Sequence, residues 1–477
     1  MVTEIEPDGM TVRPALDPGF VPAVLWNRAY RKRVAADPQS RPLVIALQRP
    51  DGTCFTHEAD ILPDRTEHFA ANLRFVERMV KFLLWQKGGT RIFIAGGERI
   101  AAELAGIYSA GGARAFDCDL FGRKMFRETL KVESVRIPEL PEPRESSVRL
   151  GRHLDGCRIG FDLGGSDRKS AALIDGKLVY SEEIPWDPYF QSDPQYHRDG
   201  INDTLRRAAD KLPRVDAIGG SAAGCYANNE VLVASLFRGV SEEDFERKIR
   251  RIFPELKAAW GNVPFEVAND GEVAALAGSM AIDDNSVLGI SMGTSQAAGY
   301  VNPEGNITSW LNELAFVPVD YRDDAPVDEW SGDRGCGVQY FSQQAVARLA
   351  ETAGLDFEGD MPFAERLAEV QHLLVQGDER ARRIFETIGV YFGYSIAHYA
   401  EFYEIGNLLI LGRVTSGEGG EVIIERAGGV LRELFPELHD KIALRTPGEK
   451  DKRHGQAIAA ASLPEIERRP AMGTGLA

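Results

Sequence analysis

The feature that most constrains this chain is a pattern that occurs twice, a short apolar strand running into a bend of glycine and hydroxyl residues and out again as a second strand. The first copy is Arg158 to Asp175, RIGFDLGGSDRKSAALID, and the second lies within Ser286 to Tyr300, SVLGISMGTSQAAGY. Alone, either bend is an ordinary hairpin. Glycine also lets a backbone approach an anion, because no Cβ intrudes and N–H groups can point inward. The first bend adds Asp162, Gly164, Gly165, Ser166 and Lys169, groups suited to a metal ion and a phosphate; the second adds Gly293, Thr294 and Ser295. A duplicated hairpin argues against a purely structural turn more strongly than a single one does.

At 477 residues the chain exceeds what one hydrophobic core usually supports, so two or three domains are expected. The hydrophobic fraction of 44% and charged fraction of 27% exclude a disordered or fibrous protein. A net charge of −17 with no offsetting basic arm argues against nucleic-acid binding through phosphate contacts. The five cysteines are scattered without a Cys-x-x-Cys pair, so neither a disulfide framework nor a zinc site is expected. The acidic start, MVTEIEPDGM, is unlike a secretory signal, and no apolar run approaches the roughly 20 residues of a membrane helix. A cytoplasmic protein is expected.

The segment 1–145 reads as a separate α/β unit. Leu43 to Leu47 and Thr53 to Leu62 form strands around an Arg-Pro-Asp-Gly turn, and Thr66 to Trp85 carries apolar residues at helical spacing. Arg91 to Ala95 reads as a strand, Glu98 to Ser109 as a helix, and Ala113 to Leu120 as a further strand. The interleaved strands and mixed charge argue against a DNA-binding helix-turn-helix. Three prolines in Pro138 to Arg144 mark a linker. Beyond it, Lys177 to Pro185 reads as a strand, Gly200 to Lys211 as a helix, and Val215 to Gly219 as a strand. Ser241 to Trp260 reads as a helix capped by Ser241. VPFEVAND, from Val263, is a strand ending in Asn269 and Asp270, where Asp270 suits a helix N-cap. Asn407 to Gly412 is a strand stopping at glycine; Thr415, Ser416 or Gly417 then opens a helix. Lys441 to Arg445 reads as a last strand and His454 to Ser462 as a last, alanine-rich helix.

These motifs, in this order, resemble the actin, Hsp70 and hexokinase (ASKHA) superfamily, and within it the ROK group of sugar kinases. The resemblance runs from about Gly160 to Leu463 and rests on DLGGSDRKSAALID, VPFEVANDGEVAALAG, Ser291 to Val301 and LLILGRVTSGEGGEVIIERA. It implies an α/β fold of two ribonuclease-H-like lobes around an ATP cleft, plus the additional N-terminal α/β domain. Lobe 1 would span 151–270 and lobe 2 271–477, with the final helix returning to lobe 1. It implies ATP and Mg²⁺ as cofactors, with Asp162 on the metal side and Asp270 as the base that takes the acceptor hydroxyl's proton. Gly164, Gly165, Ser166, Lys169, Gly293, Thr294, Ser295 and Gly412 would bind nucleotide, and Asn269 and Glu313 would bind the acceptor.

Departures from the ROK pattern include Gly271-Glu272 in place of Ala-Asn after the Asn-Asp and a second phosphate turn, Ser295 to Gly299, poorer in glycine, but the most serious fall on the acceptor side. The sugar-binding Glu-x-Gly-His corresponds to Glu313-Leu314-Ala315-Phe316, so a phenylalanine replaces the histidine. The zinc motif corresponds to Asp333 to Ser342, where only Cys336 remains, so no structural zinc is expected because such a site wants four ligands. Val338 stands at a further sugar-binding glutamate. A missing polar partner changes discrimination strongly, so the acceptor is expected to differ from the usual hexoses. Asn228, Asn229 and Asn312 are candidate substitutes, with Asn228-Asn229 better read as a loop. Cys225 lacks a partner histidine and reads as a buried hydrophobe. The resemblance implies an ATP-dependent kinase for a sugar-like hydroxyl acceptor, with no membrane or nucleic-acid partner and a homodimer left open. The competing expectation is a non-catalytic sensor or scaffold that keeps the kinase fold.

Overall fold

A computed structural model of the protein describes residues 5, 7, 9–145, 150–446 and 455–466. The chain divides into two compact units. One comprises Met1–Ser147, Asn285–Pro303 and Ser309–Pro447, and the other Val148–Asp284, Glu304–Thr308 and Gly448–Ala477. The N-terminal segment thus shares a unit with the second hairpin, while the helix Asp270–Ile282 and the last helix, Gly455–Ala461, belong with the first hairpin. No described helix is long and apolar enough to cross a membrane. The cysteines are all unbridged.

The unit of the first hairpin is built on a five-stranded sheet in the order Phe265–Asn269, Ala217–Ala222, Cys157–Leu163, Asp167–Ile174, Lys177–Pro185. The first three strands are parallel and the last two return as an antiparallel meander. All residues of the central strand Cys157–Leu163 are buried, so both of its faces are covered. Alternation decides what lies on each face. Ile159, Phe161 and Leu163 enter the main core with Ile201 and Leu205 of the helix Pro194–Ala209 and with Phe253 and Phe265. Gly160 and Asp162 turn to the other face, where Ala457 and Ala461 of the last helix pack on Ala171 and Leu173.

That last helix lies directly on the strands because two glycines leave room for it. Gly160 and Gly219 are register partners, and a Cβ on either would overlap the carbonyl of Ala457 or of Ala460. Gly160→Val is therefore expected to cost about 1–3 kcal/mol by overpacking and to release the helix. Thermal unfolding, with faster amide exchange at residues 455–461, would check this; an unchanged melting temperature would refute it.

The other unit contains two four-stranded sheets. The first has the order Cys54–Ile61, Arg41–Gln48, Arg91–Ala95, Lys131–Val135, and the second Gln296–Val301, Val287–Met292, Asn407–Leu411, Ala443–Arg445. Helices Glu379–Tyr399 and Glu418–Leu434 pack together, and Gly389 and Gly393 leave space for Ile423, Ala427 and Val430.

Several local readings are corrected. Ala113 to Leu120 is not a strand but turns into helix from Ala115, and Lys131–Val135 is the fourth strand of the N-terminal sheet. The cause is a long-range contact, because Asp117 is drawn inward to the Lys81 ammonium. The proline-rich stretch is not a free linker: its end is pinned to the sheet by a reciprocal pair of main-chain bonds, Arg144 to Cys54, each 2.9 Å. The helix expected from Gly200 begins at Pro194, capped by Asp193. The helix from Ser241 does use Ser241 as cap but is interrupted at Arg250 and Arg251.

Candidate active site

In the unit of the first hairpin, the register of the sheet assembles the polar residues. Asp162 lies beside Ser221 on the parallel neighbour and beside Lys169 on the antiparallel one. All three side chains share the face on which the last helix rests. The Ser221 hydroxyl donates to Asp162 Oδ1 at 2.7 Å, and Lys169 Nζ lies 3.9 Å from Asp162 Oδ2 and 3.1 Å from Asp167. Burial raises the Asp162 carboxyl to about 6, against the opposing pull of Ser221 and Lys169, and the Asp270 charge adds to the rise.

Asp270 is the first residue of the helix Asp270–Ile282, and burial pushes its carboxyl up as well. Asp270 is not the N-cap. Asn269 takes that role, its Oδ1 accepting from the Gly271 amide at 2.8 Å while its Nδ2 donates to the Gly224 carbonyl at 2.8 Å. Asp270 Oδ1 also accepts from the Gly271 amide, at 2.9 Å. The Gly271 amide is thus shared by the two side chains, whereas the Asn269 carboxamide is held at both ends by main chain.

The first hairpin bend is braced from its own side. Gly164 donates its amide to the Asp167 carbonyl at 2.9 Å and accepts from Trp186 Nε1 at 2.7 Å. A Cβ on Gly165 would overlap the Tyr189 ring, so glycine is required there by close approach. Ser166 donates to Asp167 at 2.8 Å. The Gly164 amide is thus spent inside the turn, and the same is true of Gly293, whose amide donates to the Ser295 carbonyl at 2.9 Å.

In the other unit, Gly293, Thr294 and Ser295 close the hairpin between Val287–Met292 and Gln296–Val301, with Thr294 and Ser295 exposed. Gly412 ends the neighbouring parallel strand. Its φ of +100° and its approach to the Met292 main chain both require glycine. Val414 then bonds the Met292 carbonyl at 3.0 Å, and the helix Glu418–Leu434 opens after Gly417. The second hairpin and the Gly412 turn are therefore adjacent strand ends of one sheet.

Glu313 sits on a turn anchored by the N-terminal segment. The amides of Leu311 and Asn312 donate to the Gln86 carbonyl and that of Glu313 to the Trp85 carbonyl, at 2.8, 3.1 and 3.1 Å. Phe316 packs at a tilt against Trp85 and Trp330, with ring centroids 4.4 and 5.1 Å apart. An aromatic cluster thus surrounds Phe316. Asn229, a candidate substitute, is instead structural: its carboxamide bonds the Phe265 carbonyl and the Val267 amide, at 2.8 and 2.7 Å.

Two residues of this site escaped the sequence reading. Ser221 was visible only as part of a Gly-rich strand end, and Gln456 sits in an alanine-rich helix whose local sequence carries no chemical signal. Gln456 Nε2 donates to Ser221 Oγ at 2.9 Å and to the Asp270 carbonyl at 3.0 Å.

A Mg²⁺ ion keeps several waters and takes one or two carboxylates together with substrate phosphates. The donor set fits that mode: Asp162 is a single buried carboxylate, and among the described residues no group of three or more His, Cys, Asp or Glu could cage a metal unaided.

No family model matches the chain, and no curated protein matches it in sequence. Solved structures do. A ROK hexokinase from Thermus thermophilus superposes with a TM-score of 0.50 at 21% identity, covering 64% of this chain and 98% of that one. A ROK family transcriptional regulator, a homolog of the E. coli MLC protein, superposes with a TM-score of 0.52 at 20% identity, covering 65% of this chain and 79% of that one. The chain is therefore built on the α/β fold common to ROK kinases and ROK transcriptional regulators.

Proposed function

We propose that the chain is an ATP-dependent phosphotransferase that moves the γ-phosphoryl group to a hydroxyl of a sugar or sugar-like acceptor. The observation that carries this reading is the pair of carboxylates Asp162 and Asp270, both pushed up by burial and joined through Ser221 and Gln456. Interior carboxylates with raised pKa values are costly to keep and mark functional positions.

Placement supports the following roles. Asp270, which follows the cap residue Asn269, takes the acceptor proton as the acceptor oxygen bonds to the γ-phosphorus and the bond to the β-phosphate oxygen breaks, leaving ADP. A raised pKa makes it a better base. Asp162 would hold Mg²⁺, which when bound neutralises phosphate charge. Lys169, Gly165, Ser166, Thr294, Ser295 and Gly412 would serve the nucleotide, since phosphoryl transfer is mainly positioning and charge stabilisation. Glu313 serves the acceptor. Phe316 removes a polar contact there, so the acceptor is one that does not need the histidine of common hexose sites. A cytoplasmic setting suits the free cysteines.

The test is a panel of carbohydrates with Mg-ATP, read by direct detection of phosphorylated product. Absence of product from every acceptor would overturn the reading. A second reading, a ligand sensor that transfers nothing, is supported by the similarity to a ROK transcriptional regulator and by Phe316. It expects ligand-dependent compaction in small-angle scattering with no product.

The Asp162 pKa has a thermodynamic consequence. Its folded value of about 6 lies above the unfolded value near 4, so its favourable contribution is complete below about pH 4 and is lost as pH rises through about 6. In metal-free protein at pH 7, Asp162→Asn is expected to raise stability by about 2–3 kcal/mol while abolishing transfer. Denaturant unfolding across pH 4 to 8 checks this; a destabilised variant would contradict it.

A further inference from the structure

We infer that Gln456 is a positioning residue for phosphoryl transfer, tying the main chain of Asp270 to the Ser221–Asp162 pair. The inference rests on the proposed kinase reading for its catalytic consequence, but its structural content stands on three hydrogen bonds. Ser221 Oγ donates to Asp162 Oδ1 at 2.7 Å, and Gln456 Nε2 donates to Ser221 Oγ at 2.9 Å and to the Asp270 carbonyl at 3.0 Å.

The orientation of the carboxamide follows from its partners. The Asp270 carbonyl can only accept, so the nitrogen of Gln456 must face it. The second N–H of the same nitrogen then occupies the Ser221 oxygen, and the single Ser221 proton is left to point at Asp162. A carboxamide oxygen in that place would draw the Ser221 proton to itself and leave Asp162 Oδ1 without its donor. One side chain therefore sets both the hydroxyl that supports Asp162 and the entry of the helix that carries Asp270.

The reach of Gln456 is created by the fold. The glycine pair Gly160 and Gly219 lets the last helix lie on the strands, and Asp162 and Ser221 follow those glycines by two residues on the same face. The first turn of the helix consequently stands over the paired side chains. Ser221 is fully buried and Asp162 nearly so, which makes each of these bonds strong and each loss expensive. A chain of donors running one way, from amide to hydroxyl to carboxylate, is also cooperative.

The experiment uses the full-length protein with Gln456→Met, which keeps volume and reach but removes both donors, and Gln456→Glu, which presents an acceptor. Expected for Gln456→Met is a tenfold or greater fall in kcat and a melting temperature lowered by a few degrees, with acceptor KM and the ADP dissociation constant within twofold of wild type. Gln456→Glu is expected to lose more, because the carboxylate competes for the Ser221 proton and opposes the Asp270 carbonyl. A kcat within twofold of wild type in both variants overturns the inference. So does a fall in kcat, affinity and melting temperature together, which marks a brace alone. If the wild type phosphorylates no acceptor, the kinase reading falls and a crystal structure of Gln456→Met decides: a Ser221 hydroxyl turned away from Asp162 supports the tie, and unchanged geometry overturns it.

Discussion

Asp270→Asn is expected to lower kcat for acceptor phosphorylation by about 10³-fold, within the 10²- to 10⁴-fold range that a positioned general base supplies. Asparagine retains an oxygen that can accept from the Gly271 amide, and the helix cap is provided by Asn269, so the fold and nucleotide affinity should persist. Product formation by phosphorus NMR, beside ADP binding by calorimetry, checks both halves. Turnover within tenfold of wild type would remove Asp270 from the base role; loss of ADP binding would instead show that the substitution had disturbed the sheet end. Burial gives the raised carboxyl a proton affinity nearer to neutral pH than an exposed aspartate has, which favours the transfer it is asked to make.

The second large effect concerns stability. Lys81, Asp117, Asp333, Arg114 and Glu77 form a buried ionic network in the unit that contains the N-terminal segment. Lys81 Nζ contacts both Asp117 oxygens, at 2.8 and 2.7 Å, and also Asp333; Arg114 bonds Glu77 at 2.8 Å and Asp333 as well. Asp333→Ala leaves two buried cations short of a partner and is expected to cost about 3–5 kcal/mol. Denaturant unfolding of the intact protein measures it. Arg136→Ala, which breaks an exposed pair with Glu139, should leave the midpoint where it was. A loss below about 1 kcal/mol for Asp333→Ala would mean that water or neighbouring groups replace the missing carboxylate.

The same substitution should reach the acceptor. Lys81 precedes Trp85 and Gln86 by one turn of the helix Thr66–Lys87, and the carbonyls of those two residues hold the turn bearing Glu313. Loosening the network should therefore raise acceptor KM more than nucleotide KM. Asp333 lies where the resemblance places a zinc motif, so in this chain a carboxylate pinned by Lys81 and Arg114 stands in that stretch.

The strand pattern was largely legible because it is local. Alternation in Cys54–Ile61, apolar runs at Cys157–Leu163 and Asn407–Leu411, and glycine at the bends mark the elements without knowledge of their partners. The misreadings share a cause in distant contacts. Ala113 to Leu120 has the composition of a strand but is wound as helix where Asp117 meets Lys81, and Pro138 to Arg144 has the composition of a linker but pairs with Cys54. Asn269 and Asp270 are both good caps by type, and the fold places the cap at Asn269, whose Oδ1 accepts from the Gly271 amide while its Nδ2 reaches the Gly224 carbonyl.

By itself the sequence determined that two glycine-hydroxyl hairpins, a strand-end Asp270 and a strand stopping at Gly412 occur in one order, because turn chemistry and periodicity are properties of neighbours along the chain. Only the tertiary structure decided that Gly160 and Gly219 admit the last helix, that Gln456 thereby meets Ser221 and Asp270, and that Trp85 and Gln86 anchor the Glu313 turn. Those contacts join residues hundreds of positions apart, and their hydrogen bonds form only where burial removes water as the competing partner.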